Sequence, residues 1–110
     1  MRQGTTPLHT FVLPFPIPEG SLVRIVYAQR PGGVKKVKFV KTKDDVKVDG
    51  QAVSTRLTQE DTFSIEDQYP VLAQVRVLTP EGEALSSKVV FISSEECLED
   101  YVMTFEENPA

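Results

Sequence analysis

Along most of the chain, apolar and polar residues alternate with a period of two, the spacing of half-buried β-strands, and helical spacing is nearly absent. The alternation predicts a first strand over Leu8–Leu13 and a second over Ser21–Gln29, in which Val23, Ile25 and Tyr27 share one face and Arg24 takes the other. Arg30-Pro-Gly-Gly33 predicts a turn, because proline fixes φ and glycine accepts positive φ. A third strand over Val34–Thr42 is expected to bury Val37 and Phe39 and to turn Lys36 and Lys38 outward. Asp49-Gly50 sits between two short β-type runs, and this pair favours a two-residue type I′ hairpin. The second arm of that hairpin runs to Leu57, with Val53, Thr55 and Leu57 facing inward.

Thr58-Gln-Glu-Asp61 has the form of a helix N-cap followed by acidic residues, enough for one helical turn across the end of the sheets. Val71–Leu78 alternates again, with Val71, Ala73, Val75 and Val77 inward against Leu72, Gln74 and Arg76. Thr79-Pro-Glu-Gly82 then turns the chain into a last strand near Leu85–Ser93. The result is an all-β chain: a two-sheet, immunoglobulin-like β-sandwich of about seven short strands with turns every 8–12 residues. One domain is expected over residues 1–110, with its core over about 6–93 and with 94–110 forming an acidic tail or a short C-terminal helix.

Pro14, Pro16 and Pro18 fall on every second residue after the first strand. A docking peptide for an SH3-type groove needs a PxxP register, which this run lacks, and a solvated linker would not carry Phe15 and Ile17. Prolines do not donate to a sheet ladder, so the run reads as a blunted edge that plugs Phe15 or Ile17 into the core.

Composition narrows the setting. No stretch approaches the ~20 apolar residues that span a bilayer, and the first residues lack the apolar core of a signal peptide. Synthesis and residence in a cytoplasm are therefore expected. The single Cys97 excludes an internal disulfide. Net charge is −4, but residues 1–59 hold ten Lys/Arg against four Asp/Glu, and residues 60–110 hold two against twelve. Either folding interleaves the halves, or a basic face and an acidic face let one copy stack on the next.

Catalytic and metal chemistry find little support. His9 is the only histidine, so no His-rich zinc set exists, and Cys97 lies in Glu95-Glu-Cys-Leu-Glu-Asp100, where the acidic flank disfavours a thiolate nucleophile. The segment from Asp45 to Arg56 fails as a calcium loop, because Lys47 and Arg56 occupy two ligand positions. Arg30-Pro-Gly-Gly33 lacks the spacing and lysine of a phosphate loop. The chain is read as a non-enzyme with no metal and no cofactor.

Lys35, Lys36, Lys38, Lys41, Lys43 and Lys47 cluster within thirteen residues. A nucleic-acid surface of this kind would need exposed stacking rings, whereas Tyr27 and Phe39 fall at inward positions, so no nucleic-acid partner is expected. Lysines also shield an edge strand from other chains, and Lys36 and Lys38 remain candidate partner contacts.

Five segments, RQGTTP (Arg2–Pro7), VRIVYAQ (Val23–Gln29), DDVKVDG (Asp44–Gly50), LTQEDTF (Leu57–Phe63) and QVRVLTPEG (Gln74–Gly82), together resemble a family of small proteins. These are encoded among virion structural genes in prophages of Gram-positive bacteria and are similar to the immunoglobulin-like N-terminal module of phage baseplate upper proteins. The resemblance runs over most of residues 2–92 and departs at the Pro-Phe-Pro-Ile-Pro run. It implies a structural or accessory part of a phage tail or baseplate, made in the host cytoplasm and carried in the virion, whose partners are other virion proteins or further copies of itself. The alternative is a β-sandwich that binds a host-surface carbohydrate, for which Tyr69 and Tyr101 are the candidate rings in a chain without tryptophan.

Overall fold

The structure is a computed structural model and describes residues 1–105. Strands β1 (Leu8–Val12), β2 (Leu22–Gln29), β3 (Lys36–Thr42), β4 (Lys47–Asp49), β5 (Ala52–Arg56), β6 (Val71–Leu78), β7 (Ala84–Ser86) and β8 (Val90–Ile92) form two antiparallel sheets. One sheet has the order β1-β5-β4; the other runs β3-β2-β6, with both β7 and β8 on the far side of β6. The molecule is an all-β sandwich, as expected, and the single predicted last strand is present as β7 and β8, interrupted at Ser87–Val89. In immunoglobulin lettering, β1 to β6 take positions B, C, C′, D, E and F, and β7 with β8 shares position G.

The inward stripes predicted from alternation close the core. Ile25, Tyr27, Val53, Leu57, Val71, Ala73, Val75 and Val77 are all buried. Phe15 and Ile17 both pack against them, while Pro14, Pro16 and Pro18 stay exposed. The proline run is tied down by backbone: Leu13 N–H donates to Gln51 O at 2.9 Å and Ile17 N–H to Gly50 O at 3.1 Å, so it lies along the tip of the β4–β5 hairpin. That hairpin pairs Asp49 with Ala52, which makes Gly50-Gln51, not Asp49-Gly50, the central pair. Gly50 has φ +64° and Gln51 has negative φ, the sign pattern of a type II′ turn, so the expected type I′ geometry is corrected.

Strand β3 departs from its predicted alternation. Its register with β2 shifts between Tyr27 and Ala28: Tyr27 faces Phe39, but Ala28 faces Val37. Lys38 is the extra residue of a β-bulge, and every residue before it changes face. Val37, expected in the core, is therefore 51% exposed on the outer face, while Lys38, expected outward, folds its side chain against Glu66. Helix α1 (Gln59–Phe63) begins at the N-cap that the sequence anticipates, and the structure shows a full capping box, in which Thr58 and Asp61 accept each other's backbone N–H. No helix forms over residues 94–104, which covers the whole of the predicted helical stretch Ser94–Val102, so the helical alternative for the tail is corrected there. The last residues of the predicted tail, 106–110, lie outside the described residues.

Candidate functional site, a groove between two sheet edges

The four sheet edges divide into two kinds. Edge β3 carries Lys36, Lys38 and Lys41, and edge β4 carries Lys47 and Asp49; charge of this sort discourages pairing with other chains. Edges β1 (Leu-His-Thr-Phe-Val), β7 (Ala-Leu-Ser) and β8 (Val-Phe-Ile) carry no Lys, Arg, Asp or Glu. These uncharged edges face each other across an open groove of about 840 Å³. One wall is Leu8–Pro14; the other is Ser86–Lys88 with Val90 and Ile92. Lys88, in the interruption between β7 and β8, is the single fully charged side chain lining it.

This groove coincides with a gap in the architecture. Immunoglobulin sandwiches of the A-B-E-D type place a strand A beside B. Among the described residues no strand holds that position: Arg2 makes an isolated parallel bridge to Glu95, and the chain then passes into β1. The outer side of β1 thus offers its backbone N–H and C=O groups to an incoming strand, and the inward side chains His9, Phe11 and Leu13 would lie beneath it.

His9 links the groove to the interior. Its Nδ1 is 2.8 Å from Tyr27 Oη, and Tyr27 stacks on Phe39 with ring centroids 4.6 Å apart. Burial first, and then the charge of Asp61, push the Tyr27 phenol well above its ordinary range, so it remains a neutral donor. Beyond Phe39, the Lys41 ammonium lies 5.9 Å from the ring centroid and is ion-paired with Asp61, the capping residue of α1. A polar and aromatic chain thus runs from the groove wall through the core to the helix. Lys41 is on the inner face of an edge strand, two residues after Phe39, where its charge is matched by Asp61.

Burial, and then the N-terminal ammonium, hold His9 below its ordinary pKa of 6.5. The unfolded chain therefore takes up a proton more readily than the folded one. Stability from neutral His9 is complete above pH 6.5 and declines as pH falls through the lowered folded value. Thermal unfolding between pH 7.5 and pH 5 should show a falling Tm in the parent protein and a smaller fall in His9→Gln. Equal falls in both would assign the acid sensitivity to other groups.

The partner candidates Lys36, Lys38 and Tyr69 are brought together, but away from the groove. They gather around Gln29, a fully buried amide at the end of β2. Gln29 Nε2 donates to Glu66 O at 2.8 Å and Tyr69 O at 2.9 Å, and Gln29 Oε1 accepts from Glu66 N–H at 2.8 Å. Lys36 is paired in register with Gln29, and Lys38 Nζ reaches Glu66 Oε2 at 3.5 Å. Lys38 is thereby engaged within the fold, Tyr69 is half-buried, and Lys36 is exposed and has no ion pair among the described residues. Tyr101 is half exposed on the tail. Cys97 donates its backbone N–H to Gln3 Oε1 at 3.3 Å, whereas His9 is engaged with Tyr27, so the two sit in different surroundings.

All three ion pairs among the described residues, Arg2–Glu95, Lys38–Glu66 and Lys41–Asp61, join the basic first half to the acidic second half. Folding therefore interleaves part of the opposite charge seen along the chain. No helix among the described residues is long and apolar enough to cross a membrane. In comparisons with known proteins, the chain matches no family model and no curated protein.

Proposed function

We propose that the protein is a non-enzymatic structural or accessory component of a phage particle, associated with the tail or baseplate, that works by sheet-edge contacts with protein partners. The observation that carries the contact mode is the pair of uncharged edges across the groove, set against two edges that are charged. Selection against unwanted pairing has a simple device in lysine, used here on β3 and β4 and not on β1. An edge of this kind takes an extended segment by main-chain hydrogen bonds, with side-chain pockets supplying specificity. The resemblance of residues 2–92 to small prophage proteins supplies the setting, and the sandwich fold agrees with what it implies.

The test uses particles induced from the host that carries the gene. The chain should be present in purified virions and should co-purify with a tail or baseplate protein. Thr10→Lys, which places a charge at the centre of β1 on its exposed face, should lower that co-purification by about tenfold, equivalent to roughly 1.4 kcal/mol of contact energy. A chain missing from particles and bound to no virion protein would overturn the proposal.

A further inference from the structure

Resting on the reading of the β1 edge as a docking site, we infer that the groove of one copy receives residues Tyr101–Phe105 of a second copy as its missing strand. Four features of the tail lead to this. Its sequence, Tyr-Val-Met-Thr-Phe, alternates large apolar residues at 101, 103 and 105 with Val102 and Thr104, the pattern of a strand with one buried face. Yet within the protomer that face is uncovered: Tyr101 is 49%, Met103 65% and Phe105 102% exposed, and Leu98, just before them, is 98% exposed. Scattered apolar side chains on a surface are ordinary, but four within eight residues, in a stretch that forms no strand or α-helix of its own, make a segment built to be covered.

The second feature is the weakness of its own attachment. Among the described residues, the hydrogen bonds of 98–105 to the rest of the molecule run to one side chain: Gln59 Nε2 donates to Met103 O at 3.0 Å and Met103 N–H donates to Gln59 Oε1 at 2.9 Å. The segment before it is held differently, by Gln3 N–H to Glu95 O at 3.0 Å, by Glu95 N–H to Met1 O at 2.9 Å and by Arg2 to Glu96 O at 2.8 Å. The chain is thus anchored up to Cys97 and is an arm beyond it.

Third, the arm and its receptor match in length. Tyr101–Phe105 has five residues, and so has β1. In an antiparallel register that centres Met103 on Phe11, Phe105 faces His9 and Tyr101 faces Leu13. All three arm side chains then point into the groove, while Thr104 and Val102 lie beside Thr10 and Val12 on the outer face. Fourth, the charges agree. The arm is bounded by Glu99-Asp100 before it and Glu106-Glu107 after it in sequence, and the one full charge on the groove wall is Lys88. Insertion would fill position A of the sandwich, cover the exposed faces of the arm and pair the backbone of β1 in a single step.

The experiment uses the 110-residue chain with Cys97→Ser, into which Thr10→Cys and Thr104→Cys are placed in separate proteins. Side chains directly opposite on paired strands come within disulfide range. Mixed under oxidising conditions, the two proteins should form a cross-linked dimer that neither forms with Ser at its partner position; Thr10→Cys with Val102→Cys covers a register two residues away. Light scattering on the parent chain from about 1 µM to about 1 mM should show mass rising above the monomer, a range that spans weak association. Gln59→Ala, which frees the arm, should shift that rise to lower concentration. Tyr101→Ser/Met103→Ser/Phe105→Ser and a chain ending at Cys97 should both stay monomeric with unchanged thermal unfolding, since neither alters the core.

A monomer at all concentrations with no mixed cross-link would overturn the inference. So would a monomeric cross-link in a chain carrying both Thr10→Cys and Thr104→Cys with none between separate proteins, which would place each arm in its own groove. If the arm fails these tests while the chain still co-purifies with a tail protein, the phage-component reading stands without it. If cross-linking succeeds and the chain is missing from particles, the reverse holds.

Discussion

Tyr27→Ala should lower the unfolding free energy by about 4 kcal/mol, the range expected when a large buried ring is truncated and the site collapses only in part. Tyr27 is fully buried near the middle of the sandwich. It sits on β2, stacked on Phe39 of β3 and hydrogen-bonded to His9 of β1, so its ring touches both sheets. Removing it takes out the core side of β3 and leaves the His9 Nδ1 atom without its partner. Tyr27→Phe, which keeps the ring and removes only the hydroxyl, should lose about 1 kcal/mol, the net worth of an ordinary intramolecular hydrogen bond. Urea unfolding of the two variants separates packing from polar linkage. Equal losses in both would mean that the hydroxyl pairing, and not the ring, holds β1 to the second sheet.

Lys41→Ala is the second large effect, about 3 kcal/mol, because removal of one partner strands the other charge in a site that water barely reaches. The whole Lys41 residue is 8% exposed, and the side chain of Asp61 is 14% exposed. Asp61 also closes the capping box of α1, so an unpaired Asp61 disturbs the helix that carries the chain from one sheet to the other. The double variant Lys41→Met/Asp61→Asn should be less destabilised than the sum of its two singles, since the isolated charge is then gone and most of the volume is kept. Denaturant unfolding of the four proteins in that cycle gives the coupling directly. A loss under about 0.5 kcal/mol for Lys41→Ala would place the pair with solvated surface ion pairs instead.

The sequence by itself determined the elements. Period-two alternation located the strand regions, because one face of each must be buried, though it read β7 and β8 as one strand; the turns at Arg30–Gly33 and Thr79–Gly82 follow from residues whose backbone preferences are local, while the hairpin turn expected at Asp49-Gly50 falls one residue later. The helix N-cap at Thr58 was legible for the same reason. Where local rules failed, a long-range contact had intervened. The bulge at Lys38 arises in the pairing of β2 with β3 and reverses the faces of Val37 and Lys38. Lys41, after the bulge, keeps the face of Phe39 as alternation requires, and what the tertiary structure adds there is a match for its charge in Asp61, twenty residues away in sequence.

The candidate site shows the same division. The sequence left the tail open between an acidic tail and a short helix, and the uncovered faces of Tyr101, Met103 and Phe105 are apparent only in the structure. Lys36, Lys38 and Tyr69 stood out by charge and ring chemistry, and the fold gathers them around Gln29, a polar residue whose burial only the tertiary contacts reveal. Which edges end beside solvent, which carry lysine and which face each other across a groove depends on the order of strands in two sheets. Strand order is set by pairings between residues far apart in the chain. The physical reason is that side-chain alternation specifies which face of a strand is buried, whereas an open edge is a property of the backbone, whose hydrogen-bonding groups are the same in every strand.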